Sequence, residues 1–571
     1  MKKRTAWVLA ACVLAVTLGA AAVGALALLM RGGGGGPRLS GTSYLALDLS
    51  GPVPEDAPTD LGNFLERRPP TLRTLVESID RAAADSNVKG LVVRVSSLPA
   101  SGWGQVQELR DAITRFRASN KPAYAHLEFC GNKEYYLASA CTKVYAVPTA
   151  LLDVTGLEAE VTFFRGTLDK LGVEAQFEGV GKYKNAPNQF TEKGFTEPHR
   201  EQMDALLDSF YGEYVSAVAK ARGWTREKVQ EVIDAGPYDG VTAQKAGLVD
   251  ELLYRDQLDE RLAGADAIGP ARYVRGSRGG FGYDGRPQVA IVYVVGEIVP
   301  GESQTSALGG SFAGSDTVAK AIRQARKDTS IKAILLRVDS PGGSGTASDV
   351  IWREVQLARA QKPVVVSMGD VAASGGYFIA MGSHAIVAQP GTITGSIGVF
   401  GGKMSLRGLY DKIGLNKEIL KRGQHADLFT EYRPWTDEER GKVRQMMTAF
   451  YKEFVTKAAE GRKKKYEDID AVAQGRVWTG KEALQHGLVD RLGGMDVAVD
   501  LAKERAGIRK DQEVRLVVMP ERKGLLETLL ERQEEGVETL LPRDLRAVLR
   551  WAQVLNDGRP AARLPFDLRV R

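Results

Sequence analysis

The chain has 571 residues, enough for roughly four domains at the usual domain length. Its composition of 43% hydrophobic and 26% charged residues excludes a disordered chain or a collagen-like fibre. The 77 basic side chains exceed the 71 acidic ones by only six, too few for binding driven by charge, so we expect no nucleic-acid partner.

Cysteines and histidines are too few and too scattered for a disulfide framework or a metal centre. The three cysteines, Cys12, Cys130 and Cys141, include no CxxC pair, and the five histidines show no zinc-binding spacing. Cys130 and Cys141 could pair in an oxidising compartment or remain two buried thiols. We therefore predict a protein without metal or cofactor.

The N-terminal residues have the pattern of a membrane anchor. Basic residues at positions 2–4 precede an uncharged apolar stretch, 7–30, which as a helix would rise about 36 Å and cross a bilayer. The basic residues favour a cytoplasmic N-terminus, with the body of the protein across the membrane. We interpret residues 1–31 as an uncleaved anchor followed by a glycine-rich tether, 32–43; a cleaved secretory signal ending near 20–22 is the alternative.

An internal repeat divides the rest of the chain into two diverged copies. The copies span residues 44–255 and 287–500, joined by a linker, 256–286, and followed by a charged helical tail, 501–571. The matching segments occur in the same order in both copies. They are 88–97 with 331–340, Lys121-Pro122 with Lys362-Pro363, Tyr136-Leu137 with Tyr377-Phe378, and 247–250 with 487–490.

Each copy alternates short, continuously apolar strands with amphipathic helices. Residues 316–327, for example, have helical periodicity and precede the apolar run 332–338. Continuous apolar strands separated by helices are typical of parallel sheets covered on both faces. The sequence therefore predicts an α/β fold in two tandem copies.

The copies differ most at the turn between one strand and the helix that follows it. The second copy reads Asp339-Ser-Pro-Gly342-Gly343 directly after its strand, whereas the first copy has no glycine pair at this place. Because glycine has no Cβ, such a turn can bring backbone N–H groups close to an anion, as an oxyanion hole requires. A tight turn before a capped helix is the simpler interpretation.

A second strand-to-helix turn in the same copy carries Ser374 among small residues, 372–376. A serine at such a turn can present its hydroxyl beside the N–H groups that begin the helix, which suits a nucleophile; a helix N-cap is the structural alternative. The register of the repeat matches Ser374 with Lys133. We therefore expect no nucleophile at this place in the first copy.

A serine nucleophile needs a base, and the sequence contains no G-x-S-x-G elbow with a histidine to serve it. Lys184, in the segment Gly181-Lys-Tyr-Lys184-Asn-Ala of the first copy, is the candidate, because burial can lower the pKa of a lysine toward neutrality. Its counterpart in the second copy is Gln424. The copies are thus predicted to be complementary, although most lysines are solvated surface charges.

Four segments of the second copy together resemble the signal peptide peptidase A (SppA) family in its long, duplicated, membrane-anchored form. They are 339–344, 368–377, 394–401, and 475–480 with 487–490. The resemblance implies a membrane-bound serine endopeptidase with a Ser/Lys dyad on a Clp-protease/crotonase-like fold. Members degrade signal peptides after their release from secreted proteins.

The resemblance also assigns roles to residues. The family nucleophile falls on Ser374 and the general-base lysine on Lys184, and Asn185 stands where the family usually has serine. The oxyanion hole is expected to consist of Gly375, Gly342 and Gly343. The residue expected to orient the lysine is Ser396.

The resemblance further implies cleaved signal peptides as substrates and a homotetramer. It implies an inner-membrane protein with one span, a cytoplasmic N-terminus and a periplasmic body. Two other functions compete with this one. A crotonase-type acyl-CoA enzyme shares the strand–helix repeats and the glycine-built oxyanion hole, and in a non-catalytic membrane scaffold the same motifs would be turns and caps only.

Overall fold

The computed structural model describes residues 43–56, 69–98, 101–262, 266–277, 285–305, 310–520 and 561–563. The predicted anchor, 1–31, nearly all of the tether and most of the tail lie outside these ranges. No helix among the described residues combines the length and the apolar character needed to cross a membrane.

The first copy alternates strands and helices, as predicted from the apolar pattern. Its elements are β1 (Ser43–Ser50), α1 (Leu72–Ala84), β2 (Val88–Ser97), α2 (Trp103–Ala118), β3 (Ala123–Gly131), α3 (Asn132–Ala138), β4 (Lys143–Asp153), α4 (Arg165–Leu171), β5 (Glu174–Val180), α5 (Asn188–Thr191), α6 (Glu197–Arg222), α7 (Arg226–Asp234), β6 (Tyr238–Asp239), α8 (Gly240–Ala246), β7 (Glu251–Leu252), α9 (Arg255–Arg261), β8 (Asp266–Ile268) and α10 (Pro270–Ser277).

The first sheet has the strand order β6-β4-β3-β2-β1-β8, with β7 beside β4. All its pairings are parallel except that of β6 with β4. In β2, Leu91 and Val93 belong to the main core of this copy, whereas Val92 belongs to a smaller cluster with Tyr145. Both faces of the strand are therefore buried along its apolar run, 91–93.

The second copy repeats this pattern and adds several short strands. Its elements are β9 (Gln288–Val295), β10 (Glu297–Val299), β11 (Gln304–Thr305), β12 (Ser311–Gly314), α11 (Ser315–Lys327), β13 (Ile331–Ser340), β14 (Gly342–Ser344), α12 (Gly345–Arg359), β15 (Val364–Ala373), α13 (Gly375–Ala380), β16 (Ala385–Ala388), β17 (Ile393–Gly395), β18 (Val399–Ser405), α14 (Arg407–Ile413), α15 (Asp437–Arg462), α16 (Tyr466–Val472), β19 (Val477–Thr479), α17 (Gly480–Gln485), β20 (Arg491–Leu492), α18 (Met495–Arg505), β21 (Arg515–Met519) and β22 (Ala561–Arg563).

The second sheet has the order β19-β17-β15-β13-β9-β21, with β16 between β15 and β20. Its strands are parallel except for β19 against β17. The outer strand of each sheet comes from a segment after the repeat: β8 lies in the stretch 256–286 and β21 in the stretch 501–571. The parallel α/β fold in two tandem copies is thus confirmed.

A third sheet joins the two copies, with the order β11-β12-β10-β14-β22-β18-β5. β5 of the first copy runs antiparallel to β18 of the second over their full lengths, from Val399 opposite Val180 to Ser405 opposite Glu174. The segment that follows β5 therefore lies at the edge of the second copy. β22, near the C-terminus, lies between β14 and β18.

A buried charge cluster also joins the copies. Arg337, with no exposed side-chain surface, donates to Glu55 at 2.7 and 2.8 Å and to Glu108 at 2.9 Å. Helix α2 begins after Gly102, which as a glycine has no side chain to cap the helix. The Asp370 carboxylate of the second copy accepts its N–H at 2.7 Å instead. Charges buried in this way require partners, so the two copies depend on each other for stability.

Equivalent hydrogen bonds in the two copies establish their register. The Tyr135 hydroxyl donates to the carbonyl of Leu248, and the Tyr377 hydroxyl donates to the carbonyl of Leu488, both at 3.0 Å. Tyr135 is therefore the structural equivalent of Tyr377, one residue before the tyrosine that the sequence comparison had paired with it.

The two cysteines of the first copy that could have formed a disulfide are free. Cys130 and Cys141 are both buried thiols. Burial raises the pKa of Cys141 to about 12 and raises that of Cys130 well above its ordinary value. Both side chains therefore stay protonated near neutral pH and pack as small apolar groups.

Candidate active site

Ser374 lies at the sharp turn between β15 and α13. Its backbone has φ +55° and ψ −113°, a conformation that costs energy for a residue with a Cβ. Its N–H donates to the carbonyl of Gly395 at 2.8 Å, and its side chain is fully buried. Gly376 packs so closely that a Cβ there would lie 2.7 Å from the Ser340 carbonyl oxygen. The small residues around Ser374 thus allow the strained turn to form.

Lys184 of the first copy reaches Ser374 of the second. Its Nζ lies 2.8 Å from Ser374 Oγ, 2.9 Å from Ser396 Oγ and 3.2 Å from the Ser396 carbonyl oxygen. Only 6% of Lys184 is exposed, and burial alone lowers its pKa well below the ordinary lysine value. The geometry thus brings together a hydroxyl and an amine that can lose its proton.

Ser396 is held in place by the chain that precedes β19. Its φ is +50°, and its N–H donates to the carbonyl of Arg476 at 2.7 Å. Both oxygens that it turns toward Lys184 accept from the amine. The structure therefore places Ser396 where it limits the directions in which Lys184 can point.

The predicted oxyanion glycines lie around the same turn. Gly342 and Gly343 form β14 with φ of +99° and +150°, and Gly375 begins α13, which packs against β14. The Gly342 N–H donates to Ser340 Oγ at 3.2 Å. A Cβ at Gly343 would lie 2.1 Å from the Ile298 carbonyl oxygen. Glycine is thus required at Gly343 by close packing as well as by its φ.

An extended piece of the chain itself occupies the groove beside these glycines. β22 runs antiparallel to β14, with Gly342 opposite Arg563 and Ser344 opposite Ala561, and Ala561 also faces Phe400 of β18. Helix α13, which begins directly after Ser374, lies against β22. The space between β14 and β18 therefore holds a strand of the chain in extended conformation.

The first copy has no serine at the corresponding position. With Tyr135 aligned to Tyr377, Ser374 corresponds to Asn132, so the predicted correspondence to Lys133 is wrong by one residue. Two adjacent tyrosines made the register ambiguous in the sequence. The expectation that the first copy has no serine at this position is unaffected.

Asn185 departs from the family pattern beside the lysine. It is buried, and its Oδ1 accepts weakly from Asn188 Nδ2 at 3.4 Å. Among the described residues its Nδ2 has no acceptor. Asn185 thus places an unsatisfied buried donor directly beside Lys184 among these residues.

Sequence reasoning gave no role to Gly475, which lies directly beneath the lysine. Its φ is +74°, and a Cβ at this position would lie 2.6 Å from Lys184 Cβ. On the other side, a Cβ at Gly181 would lie 2.5 Å from the Gln474 carbonyl carbon. The Gly475–Gly480 motif was visible in the sequence, but only the structure shows that it packs against the other copy.

Two family models match the chain. The model described as Peptidase family S49 matches twice, over residues 115–268 and 356–509, and the model described as Clp protease matches residues 313–390. One S49 match lies mainly in each copy, and the Clp match covers β13, β14, β15 and Ser374.

Two of the known proteins similar to this chain match most of it, and a third matches 32% of it. "Serine protease SPPA, chloroplastic" of Arabidopsis thaliana is 36% identical over 491 residues, covering 83% of this chain and 71% of the relative. "Protease 4" of Salmonella typhi is 32% identical over 550 residues, covering 91% and 87%. "Putative signal peptide peptidase SppA" of Enterococcus faecium is 32% identical over 184 residues, covering 32% and 54%.

Proposed function

This chain belongs to peptidase family S49, and we propose on that basis that it is a serine endopeptidase with Ser374 as nucleophile and Lys184 as general base. The observation that carries the proposal is the 2.8 Å contact between Lys184 Nζ and Ser374 Oγ in a buried pocket. An acyl-CoA enzyme or a scaffold would have no use for a buried amine whose pKa is lowered beside a strained serine.

In acylation, neutral Lys184 takes the hydroxyl proton of Ser374, whose oxygen forms a bond to the scissile carbonyl carbon. The carbonyl oxygen becomes an oxyanion, which the N–H of Gly375 and an N–H of the turn at Gly342 and Gly343 stabilise. When the C–N bond breaks, Lys184 returns its proton to the leaving amine, and the acyl group remains as an ester on Ser374.

In deacylation, water takes the place of the leaving amine. Lys184, again neutral, takes a proton from the water as its oxygen attacks the ester, and then returns the proton to Ser374 as the C–O bond breaks. Ser396 keeps the amine in line with both partners through its 2.9 Å contact. Each group thus serves both half-reactions.

The placement of β22 supports an extended peptide as substrate. A peptide that adds as a strand between β14 and β18 is held through its main chain, so its backbone contributes most of the recognition. Recognition of this kind tolerates many sequences. We propose that the physiological substrates are signal peptides already released from secreted proteins, as the name of the Enterococcus faecium relative suggests.

The location of the protein follows from the same proposal. Residues 1–31 would anchor the chain by one span in the inner membrane, with the N-terminus in the cytoplasm and the catalytic body in the periplasm. An anchored enzyme would meet released signal peptides while they are still in the bilayer.

Pseudo-symmetry between the copies supports a homo-oligomer. Gly172 and Gly414 end α4 and α14 with the same left-handed cap, so residues 416–422 are the second copy's equivalent of β5. By the same offset, residues 157–163 are the first copy's equivalent of β18. Residues 416–422 are all exposed, Leu420 by 96%.

We propose that 416–422 of one chain pairs with 157–163 of the next, as β5 pairs with β18 within the chain. Head-to-tail contacts form a ring when their rotation closes, as the tetramer that the sequence resemblance implies would require. Leu420→Asp should convert the oligomer to monomers in light scattering. An oligomer of unchanged size would reject this interface.

The experiment that tests the function uses the detergent-solubilised full chain. It is incubated with a mixture of released signal peptides and unfolded soluble proteins, and the products are sequenced by mass spectrometry. We expect internal cleavage of the signal peptides and no cleavage by Ser374→Ala. Intact signal peptides beside degraded soluble proteins would reject the substrate, and no cleavage at all would reject the peptidase.

A further inference from the structure

The turn between α16 and β19 holds both sides of the lysine pocket. Within this segment, residues 474–476, which we call the clamp turn, the Gln474 carbonyl accepts the Tyr183 N–H at 2.8 Å. The Arg476 carbonyl accepts the Ser396 N–H at 2.7 Å. The clamp turn therefore fixes the backbone next to Lys184 and the backbone of the serine that contacts it.

The side chain of Arg476 adds a second set of contacts between the copies. Its guanidinium lies 4.8 Å from the ring centre of Tyr183 in the first copy and 4.5 Å from that of Trp478 in the second. Its Nη1 lies 2.8 Å from Oε1 of Glu201, to which the Tyr183 hydroxyl also donates at 2.9 Å. Because Glu201 is well exposed, the stacking on the two rings should contribute more than the ion pair.

The first copy has the same turn without the arginine. Thr479 caps α17 and Asp239 caps α8 with equivalent hydrogen bonds, so the two turns align and Arg476 corresponds to Gly236. The fold alone therefore does not require an arginine at this position. It occurs in the copy that carries Ser374 and lies against the loop that carries Lys184.

We propose that Arg476 is a positioning residue that seals the lysine pocket. By stacking on Tyr183 it holds the Lys184 loop against the second copy and keeps water away from Nζ. The inference rests on the proposed Ser374–Lys184 dyad. It adds that the low basicity of Lys184 depends on this contact, because burial is the one cause that lowers its pKa.

Other titratable groups near the clamp turn do not produce the pH dependence expected from Lys184. The hydrogen bond from Tyr183 holds the pKa of Glu201 below its ordinary range, so Glu201 stays ionised near neutrality. Burial lowers the pKa of His486, whose ring lies 4.1 Å from that of Trp478, so it stays neutral there. Lys182 lies 3.8 Å from Glu201, and the charges of Glu482 and Lys464 act on the pKa of His486. Asp470 accepts from Nε2 of Gln474, in the clamp turn, at 2.9 Å.

The test compares the pH profile of kcat/KM for a peptide ester in four full-length variants. In Arg476→Ala, water reaches Lys184, so the acid limb of the profile should move to higher pH. On the acid limb, a roughly tenfold loss of kcat/KM corresponds to a displacement of the limb by one pH unit. At alkaline pH the activity of the variant should recover. Arg476→Lys should lie between Arg476→Ala and wild type, because lysine keeps the charge but cannot stack as a plane.

Two variants serve as controls. Arg444→Ala removes an arginine that also joins the copies, but through a 2.9 Å hydrogen bond to Glu178 of β5 instead of stacking on the Lys184 loop, and it should keep the wild-type profile. Glu201→Gln removes the ion pair with Arg476 and leaves Arg476 stacked on the two rings, so the acid limb of its pH profile should move little.

The outcomes separate this inference from the proposed function. The sealing role would be overturned if the acid limb of the Arg476→Ala profile lay at the wild-type pH, or if kcat/KM fell by the same factor at every pH. If Arg476→Ala does not fold, Arg476→Lys decides the question by the same criterion. A wild-type profile that Lys184→Ala leaves unchanged would instead reject the dyad.

Discussion

Replacing Gly475 with alanine tests how closely the lysine must be held. Its new Cβ would lie 2.6 Å from Lys184 Cβ, whereas carbon atoms in contact stay about 3.5–4.0 Å apart, so one of the two must move by about 1 Å. A misplacement of ~1 Å can cost about 100-fold in rate. We therefore expect kcat/KM to fall by about two orders of magnitude.

A matched glycine separates this clash from backbone strain. Gly223 ends α6 with φ +67°, close to the +74° of Gly475, and a Cβ there meets nothing within 4 Å. Both alanine variants should lose about 1–2 kcal/mol of stability from the left-handed backbone. In Gly223→Ala, however, the activity of the folded protein should stay at the wild-type value.

The assay measures kcat/KM on a peptide ester, together with urea unfolding of each variant. Equal activities for the Gly475→Ala and Gly223→Ala proteins, at equal folded fractions, would refute the reasoning, because the position of Lys184 would then have no bearing on the rate.

Three further outcomes follow from the buried groups and from β22. Lys184→Met should abolish turnover yet stabilise the protein at neutral pH. Burial lowers the pKa of Lys184, so the unfolded wild-type chain binds more protons than the folded one and wild-type stability rises with pH. The difference in urea-measured stability between Lys184→Met and wild type should therefore vanish above about pH 10.4. Arg337→Ala leaves Glu55 and Glu108 buried without their cation and should cost about 3–5 kcal/mol in urea unfolding. A chain lacking residues 561–571 has an open groove, so its kcat/KM should exceed that of the full chain; equal values would mean that β22 does not compete with substrate.

The repeat and the placement of Ser374 and Lys184 in different copies could be predicted from the sequence because both appear as local patterns in matched segments. Apolar runs marked the parallel strands, and differences between matched segments singled out Ser374 and Lys184. The structure places these two side chains in contact.

The joint between the copies could not be predicted, because β5 does not have the pattern of a buried strand. Its sequence, Glu174 to Val180, contains Gln176 and Glu178, which are buried only because residues distant in sequence satisfy them. Gln176 accepts the Trp435 N–H at 2.7 Å, and Glu178 pairs with two arginines of α15. A polar residue buried by a distant partner carries no local signal.

The most direct measurement of the proposed dyad is labelling by a serine-directed phosphonate, with the modified residue identified by mass spectrometry across a range of pH. The account predicts one label, on Ser374, at a rate that rises with pH as Lys184 loses its proton, and almost no labelling in Lys184→Ala. A label that persists in Ser374→Ala, or a rate in Lys184→Ala equal to that of wild type, would contradict it.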